Sequence, residues 1–347
     1  MPSFDIMWKF FIKSFSFIIG LSLIFNILGN LADRIAPMEV WRVEHQQRLE
    51  NLEARNNLLE AVTLGNSHGD SINYSILGLE GQSLAFAAED LFEVEKYAAY
   101  LDSKLPNLKT VFITISYYSF SRDNATFQPF RTRRIGFYSV VPSWSPIQGD
   151  LSNFVLGRFE SYTHVMSVIR SDSWLGVWNG LVTNTNTTNL YSYDGVQTVS
   201  VWGQCSHYTE EQLENHAREI AGKNVASSMQ MTSIHPGLEQ DSFKALSRTI
   251  ERLQSKGIRV ILFTPTYYES YNTYFSEQGS SIIENMKWMI NQLQQTYKVE
   301  YYDFSDDSGI MVHPELFYNS DHLSECGQRV FSTKLLDAIN KNGGLDN

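Results

Sequence analysis

Beyond about residue 60 the chain alternates short apolar runs with longer stretches whose apolar residues recur at helical spacing. Ala61-Val62-Thr63-Leu64 and Thr110-Val111-Phe112-Ile113-Thr114-Ile115 read as buried strands, the second preceded by the breaker pair Pro106-Asn107. Between them a helix is expected over roughly Gln82 to Leu105. The alternation returns late in the chain. A helix from about Gln240 to Lys256 leads through Gly257 into Arg259-Val260-Ile261-Leu262-Phe263, a strand that stops at Thr264-Pro265. A helix near Ser280 to Thr296, a strand over Val299 to Asp303 and a last helix from about Ser324 to Asn340 follow. Apolar strands separated by helices predict an α/β domain whose parallel sheet is covered on both faces.

The amino-terminal part breaks that rhythm. Ser14 to Ala32 carries no charge and is mostly Phe, Ile and Leu. At about 1.5 Å per residue the run is long enough to cross roughly 30 Å of hydrocarbon, and it reads as a transmembrane helix. Lys9, Lys13 and the amino terminus precede it and only Asp33 and Arg34 follow closely, which leaves the short amino-terminal stub in the cytoplasm and everything after about residue 33 outside. A cleaved signal peptide is the competing reading, but Asn30-Leu31-Ala32 is a poor small-x-small cleavage site. Pro37 to Glu60 is rich in Glu, Arg, Gln and Leu, with Trp41, Leu49, Leu52 and Leu59 at spacings a helix can use. It reads as a helical stalk, or alternatively as a helix lying on the domain. The expected organisation is residues 1–35 as stub and anchor, 36–60 as stalk, and 61–345 as the α/β domain with an insertion at about 120–237.

That insertion holds Trp144, Trp174, Trp178 and Trp202 and the polar run Thr183-Asn184-Thr185-Asn186-Thr187-Thr188. Long insertions of this kind are often lids or binding loops. The rings could stack on sugar faces, or simply pack an irregular segment.

Composition narrows the function classes. At 347 residues, 43% hydrophobic and 19% charged, the chain can bury a sizeable core. A formal net charge of -11 without a long basic run argues against nucleic acid, whose phosphates need clustered Lys and Arg. The local triplet Arg131, Arg133 and Arg134 reads as a solvated turn. Cys205 and Cys326 lie in the part expected outside, where a disulfide could form, although spacing does not show whether they meet. Neither has the Cys and His spacing of a zinc site, and His164, His207, His216, His235 and His313 are scattered, so no metal or cofactor is expected.

Two short motifs about 250 residues apart carry the chemistry. Gly65-Asn66-Ser67-His68-Gly69 follows the first strand, which places Ser67 where the chain leaves a sheet edge, the usual ligand crevice of an open α/β sheet. Asn319-Ser320-Asp321-His322-Leu323 puts a histidine just before the last helix, and a serine hydroxyl needs such a base to attack a carbonyl at neutral pH. Ser67 could instead only cap the following helix. A literal Gly69-Asp70-Ser71 also occurs, but Ser71 comes about one helical turn after the strand, so Ser67 is the preferred nucleophile.

With these motifs on alternating α/β structure, the chain resembles the SGNH, or GDSL-type, hydrolase superfamily over roughly residues 61 to 119 and 240 to 340. It is most similar to the membrane-anchored, exported branch that includes the D-alanyl transfer protein and exopolysaccharide O-acetyltransferase-like proteins. The resemblance implies a flavodoxin-like parallel sheet, Ser67 as nucleophile and His322 as base. It implies Gly81 as a backbone donor to the oxyanion, each such donor being worth roughly 3 kcal/mol or more. The family's asparagine after the second strand is missing from Ile115-Ser116-Tyr117-Tyr118, which leaves Ser116 to assist. Three residues before the histidine, where the family has an acid, stands Asn319; Asp321 is the nearer carboxylate, although adjacent side chains in an extended segment point apart. The third catalytic member is therefore open between them. His68, beside Ser67, reads as structural or as a rim residue within reach of substrate. The implied activity is an esterase or O-acyltransferase working on an acylated or acceptor glycan of the cell envelope, with a membrane partner delivering the acyl group. The alternative is a catalytically silent relative that binds glycan or scaffolds an envelope complex, favoured by the missing asparagine and by Asn319.

Overall fold

The computed structural model of the chain describes residues 8–17, 19–21, 24, 40–126, 128–141, 145–147, 149–163, 205 and 208–345. It divides into two units, Met1–Gln46 with Thr132–Asp194, and Gln47–Arg131 with Gly195–Asn347. The larger is the α/β unit. Its five-stranded sheet is made of β1 (Ala61–Leu64), β2 (Gly81–Ser83), β3 (Thr110–Thr114), β4 (Arg259–Thr264) and β5 (Glu300–Asp303). All pairs are parallel and the order is β2-β1-β3-β4-β5, the doubly wound order of flavodoxin-like sheets.

The apolar runs predicted as strands are buried on both sides because helices cover both faces. Phe112, Ile261 and Phe263 join a core with Ile72, Phe331, Leu335 and Ile339, which come from the turn after β1 and from the final helix. The alternate residues Val111, Ile113, Val260 and Leu262 are buried as well. Each such side chain contributes about 1.5–3 kcal/mol on burial, so the sheet centre is the main source of cohesion.

From residue 40 on, the helices among the described residues are, in chain order, α1 (Val40–Ala54), the short α2 (Tyr74–Leu77), α3 (Leu91–Lys104), α4 (Gln128–Val140), α5 (Leu151–Thr163), α6 (Glu210–Ile234), α7 (Leu238–Ser255), α8 (Glu269–Tyr297) and α9 (Glu325–Lys341). The expected helix over 82–105 is in fact an edge strand, a loop and then α3. Asp90 caps α3 in a reciprocal capping box with Glu93. The expected helix near 280–296 is the second part of α8, whose backbone departs from helical geometry at Gly279.

α1 does not stand clear of the α/β unit over its second half. Leu49 and Leu52 are buried, the Gln82 amide donates to the Arg48 carbonyl at 2.6 Å, and Arg48 forms a buried, two-pronged ion pair with Asp70 at 3.1 and 3.2 Å. The stretch expected as one insertion, 120–237, is not one body: 132–194 belongs to the smaller unit, and α6 belongs to the α/β unit, where it packs along α8. Trp144, Trp174, Trp178, Trp202 and the Thr183 to Thr188 run lie outside the described residues. So does much of the expected membrane span 14–32. Residues 8–17 are helical, with Trp8, Phe10, Phe11, Phe15 and Phe17 exposed, and among the described residues no helix is long and apolar enough to cross a membrane.

The smaller unit has its own buried ion pair, Arg134 with Asp150 at 3.1 Å, so this arginine of the basic triplet is internal rather than solvated. Asn153 donates to Asp150 at 2.6 Å, and Ile147 N–H donates to Tyr138 Oη at 2.8 Å.

Cys205 and Cys326 are joined in a disulfide with Cα atoms 5.2 Å apart, closing a loop of 121 residues onto the first turn of α9. Replacing both with serine is expected to lower stability by about 2–4 kcal/mol, read as an earlier urea midpoint; an unchanged midpoint would mean the bridge constrains nothing.

Candidate active site

Ser67 is placed by the two residues that lead out of the sheet before it, Gly65 and Asn66. Gly65 has φ +110°, and a Cβ there would lie 2.6 Å from Thr114 Cγ2 and 2.9 Å from the Thr114 carbonyl, so only glycine turns out of β1 this close to β3. Asn66 then caps the 3-10 turn Ser67–Ser71, its Oδ1 accepting from His68 N–H at 3.2 Å. It also bridges in parallel to Phe86, in the loop that follows β2. Ser67 therefore sits at the carboxyl edge of the sheet.

His322 arrives from a hairpin, β6 (Phe317–Asn319) and β7 (His322–Leu323), that precedes α9. Asn319 Oδ1 accepts from Asp321 N–H at 3.2 Å, an Asx turn that curls the connection back on itself. Tyr268 N–H binds the Ser320 carbonyl at 2.9 Å, and His216 Nδ1 lies 2.7 Å from Ser320 Oγ, so the loop after β4 and helix α6 both hold the hairpin.

The two motifs meet. Ser67 Oγ is 2.8 Å from His322 Nε2. On the other side of the ring, His322 Nδ1 is 3.0 Å from Asp321 Oδ1 and 3.0 Å from Asn319 Oδ1. The expectation that Asp321 would point away from its neighbour assumed an extended segment. Residues 320 and 321 instead form a turn, and the turn brings the Asp321 carboxylate round to the imidazole. The result is a serine, histidine and carboxylate in series, with Asn319 sharing the Nδ1 proton. Such a series lets the imidazole take the serine proton while the carboxylate steadies the imidazolium that forms.

Of the other expected site residues, Gly81 lies away from the serine, while Ser116 and His68 are buried beneath it. Gly81 pairs with Ala61 at the opposite end of β1, about 10 Å along the strand from Leu64, and a Cβ there would overlap the Tyr74 ring. Its missing side chain serves packing, not an oxyanion. Ser116 is fully buried; its Oγ accepts from Asn66 Nδ2 at 2.8 Å and lies 2.6 Å from His68 Nδ1, while its N–H donates to Ser119 Oγ at 2.8 Å. His68 is only 1% exposed, so it is no rim residue; its Nε2 reaches Asp321 Oδ2 at 3.4 Å. Ser71, the serine of the literal Gly-Asp-Ser, is buried and donates to the His68 carbonyl at 2.6 Å.

Burial works to raise the Asp321 pKa, but the nearby His322 charge and hydrogen bonds from His322 and His68 outweigh it and hold the carboxyl well below the usual carboxylate range. Burial lowers the His68 pKa to about 4, against the pull of Asp321, so its ring is neutral at pH 7. His68, Asp321 and His322 also bring ligand-capable atoms within 4.8 Å of one another. Those side chains are already committed to one another and to Ser67 and Ser116, an arrangement that needs no ion. No family model matches the chain and no curated protein matches it.

The contacts of Asn66 with Ser116 and of His216 with Ser320 had no signal in spacing, since they join positions 50 and 104 residues apart. A pH prediction follows from His68. Its folded pKa lies below the unfolded value of about 6.5, so the unfolded chain binds the extra proton first. The His68 contribution to stability is complete above that value and is lost as pH falls towards about 4. On acidification from pH 7 to 4, parent stability should fall by up to about 3 kcal/mol more than that of His68→Gln, measured by urea unfolding at each pH. Parallel pH curves would contradict this.

Proposed function

We propose that the protein is an exported, membrane-anchored serine esterase or O-acyltransferase of the SGNH type, acting on acyl esters of a cell-envelope polysaccharide. The observation that carries this reading is the Ser67 hydroxyl 2.8 Å from His322 Nε2, with Asp321 on the far side of the same ring. Ser67 Oγ attacks the acyl carbonyl as His322 takes its proton. The tetrahedral intermediate collapses, the departing alkoxide takes that proton back from His322, and an acyl-serine remains. His322 then deprotonates water or a sugar hydroxyl, whose oxygen bonds to the acyl carbon; the bond to Ser67 Oγ breaks as His322 returns the proton to it, leaving a free acid or a new ester. The main-chain N–H of Ser67 contributes to holding the oxyanion.

Three features support export and tethering. The uncharged run 14–32 is long enough to span a bilayer, residues 8–17 are helical with aromatic side chains exposed, and the Cys205–Cys326 disulfide suits an oxidising compartment. A membrane partner that supplies the acyl group, with an acylated or acceptor glycan as substrate, belongs to the same proposal.

One observation favours a second reading, a catalytically silent glycan-binding or scaffold protein: of the expected oxyanion donors, Gly81 lies at the far end of β1 and Ser116 is buried and committed to Asn66 and His68. Fluorophosphonate labelling of the full chain in detergent separates the two. The proposal expects labelling that falls by at least about a thousandfold in Ser67→Ala and about a hundredfold or more in His322→Ala, but survives in Ser71→Ala. A folded parent that takes no label favours the silent reading, and loss confined to Ser71→Ala moves the nucleophile.

A further inference from the structure

Behind the serine and histidine lies a buried hydrogen-bond chain. It starts at Asn66. Because Asn66 Oδ1 is occupied by His68 N–H in capping the turn, its amide nitrogen is the group that faces Ser116, and it donates to Ser116 Oγ. With that lone pair used, the Ser116 hydroxyl proton is free to point at its other close neighbour, His68 Nδ1, 2.6 Å away. A neutral His68 that accepts at Nδ1 must carry its proton on Nε2, and Nε2 faces Asp321 Oδ2 at 3.4 Å, the longest link in the chain. Asp321 in turn accepts from His322 Nδ1 through Oδ1.

Resting on the proposed reading of Ser67 and His322, we infer that His68 is a positioning residue for the reaction: it holds Asp321 by the carboxylate oxygen that His322 does not use. Among the described residues His68 is the sole donor to Asp321 Oδ2, and the carboxylate is buried. A buried carboxylate with one oxygen unpaired would rotate or protonate, and either change removes the support behind His322. The groups around His68 keep it in the donating form. Tyr118 and Tyr267 rings pack against it with centroids at 6.2 and 5.2 Å, and the His322 ring lies at 4.7 Å. Its ionisable neighbours are Asp321, His322 and the Arg122 cation, the last over the Tyr118 ring at 4.5 Å. Burial of the ring, with the Arg122 cation nearby, disfavours a second proton on it against the pull of Asp321. This gives a role to three motif residues that direct contact with substrate does not explain: Asn66 orients Ser116, Ser116 selects the His68 tautomer, and His68 fixes Asp321.

The test compares the parent with His68→Leu, which removes the donor, and His68→Gln, whose side-chain amide can reach Asp321 from the Nε2 position. Imidazole nitrogen-15 NMR of the full chain in detergent reads the relay without any need for activity. The expected result is a neutral His68 protonated at Nε2 through pH 7, and a downfield His322 Nδ1–H resonance that disappears or moves in His68→Leu and is kept in His68→Gln. A His68 protonated at Nδ1, or a resonance indifferent to His68→Leu, overturns the inference. If His68→Leu fails to fold, the parent tautomer and the His68→Gln resonance still decide. Fluorophosphonate labelling adds the catalytic side: a loss on the order of tenfold in His68→Leu that is restored in His68→Gln. A parent that shows the expected resonances but takes no label would sink the hydrolase reading and leave the positioning of Asp321 by His68 standing.

Discussion

The site depends on one buried carboxylate held between two imidazoles. Asp321 uses one oxygen for His322 and the other for His68, and these neighbours hold it ionised although it is buried. Remove that charge and His322 has only the Asn319 amide oxygen at its Nδ1, a partner that orients the ring without stabilising a positive charge on it. The strands, turns and caps around the site serve this placement. The Gly65 turn and the Asn66 cap bring Ser67 and His68 off the same strand edge, and the Asx turn at Asn319 brings Asp321 and His322 in from a hairpin more than 250 residues later.

The scaffold around that carboxylate is redundant in a useful way. The turn after β1 is tied to α1 through Arg48 and Asp70 and to α9 through Ser332, whose hydroxyl donates to the Ser71 carbonyl at 3.4 Å and accepts from Asn73 N–H at 2.8 Å. The hairpin is tied to α6 by His216, to the loop after β4 by Tyr268, and, through the disulfide on the first turn of α9, to residue 205. Two imidazoles and a carboxylate can therefore be held within hydrogen-bond distance although their chain segments are remote.

Much of this architecture was legible in residue patterns, and what was not has identifiable causes. The central strands β1, β3 and β4 are runs of apolar residues flanked by breakers, the edge strand β5 lies within the expected strand Val299 to Asp303, and the doubly wound sheet follows from their alternation with helices. β2 escaped because it is a three-residue edge strand, Gly81-Gln82-Ser83, with too little apolar character to stand out. α6 escaped because four positions of its buried stripe, Ala217, Ala221, Asn224 and Ser228, are small or polar residues that packing against α8 rather than hydropathy makes internal. Its start was nonetheless written in Thr209-x-x-Gln212, a capping box. In the site, the pairing of Ser67 with His322 could be read from the motifs. The direction of Asp321 could not, since it depends on a turn between two strands of three and two residues. Gly81 was misplaced for the same reason that β2 was missed: without the edge strand there is no way to know which end of it a glycine occupies.

The central claim, that Ser67 is the nucleophile primed by His322, is tested most directly by trapping its acyl form. The full chain would be mixed with an activated aryl ester, quenched in acid and mapped by peptide mass spectrometry. An acyl group on the peptide bearing Ser67, absent from the same peptide of His322→Ala, is the predicted result. Acylation confined to other residues, or a Ser67 adduct formed equally well without His322, would contradict the account.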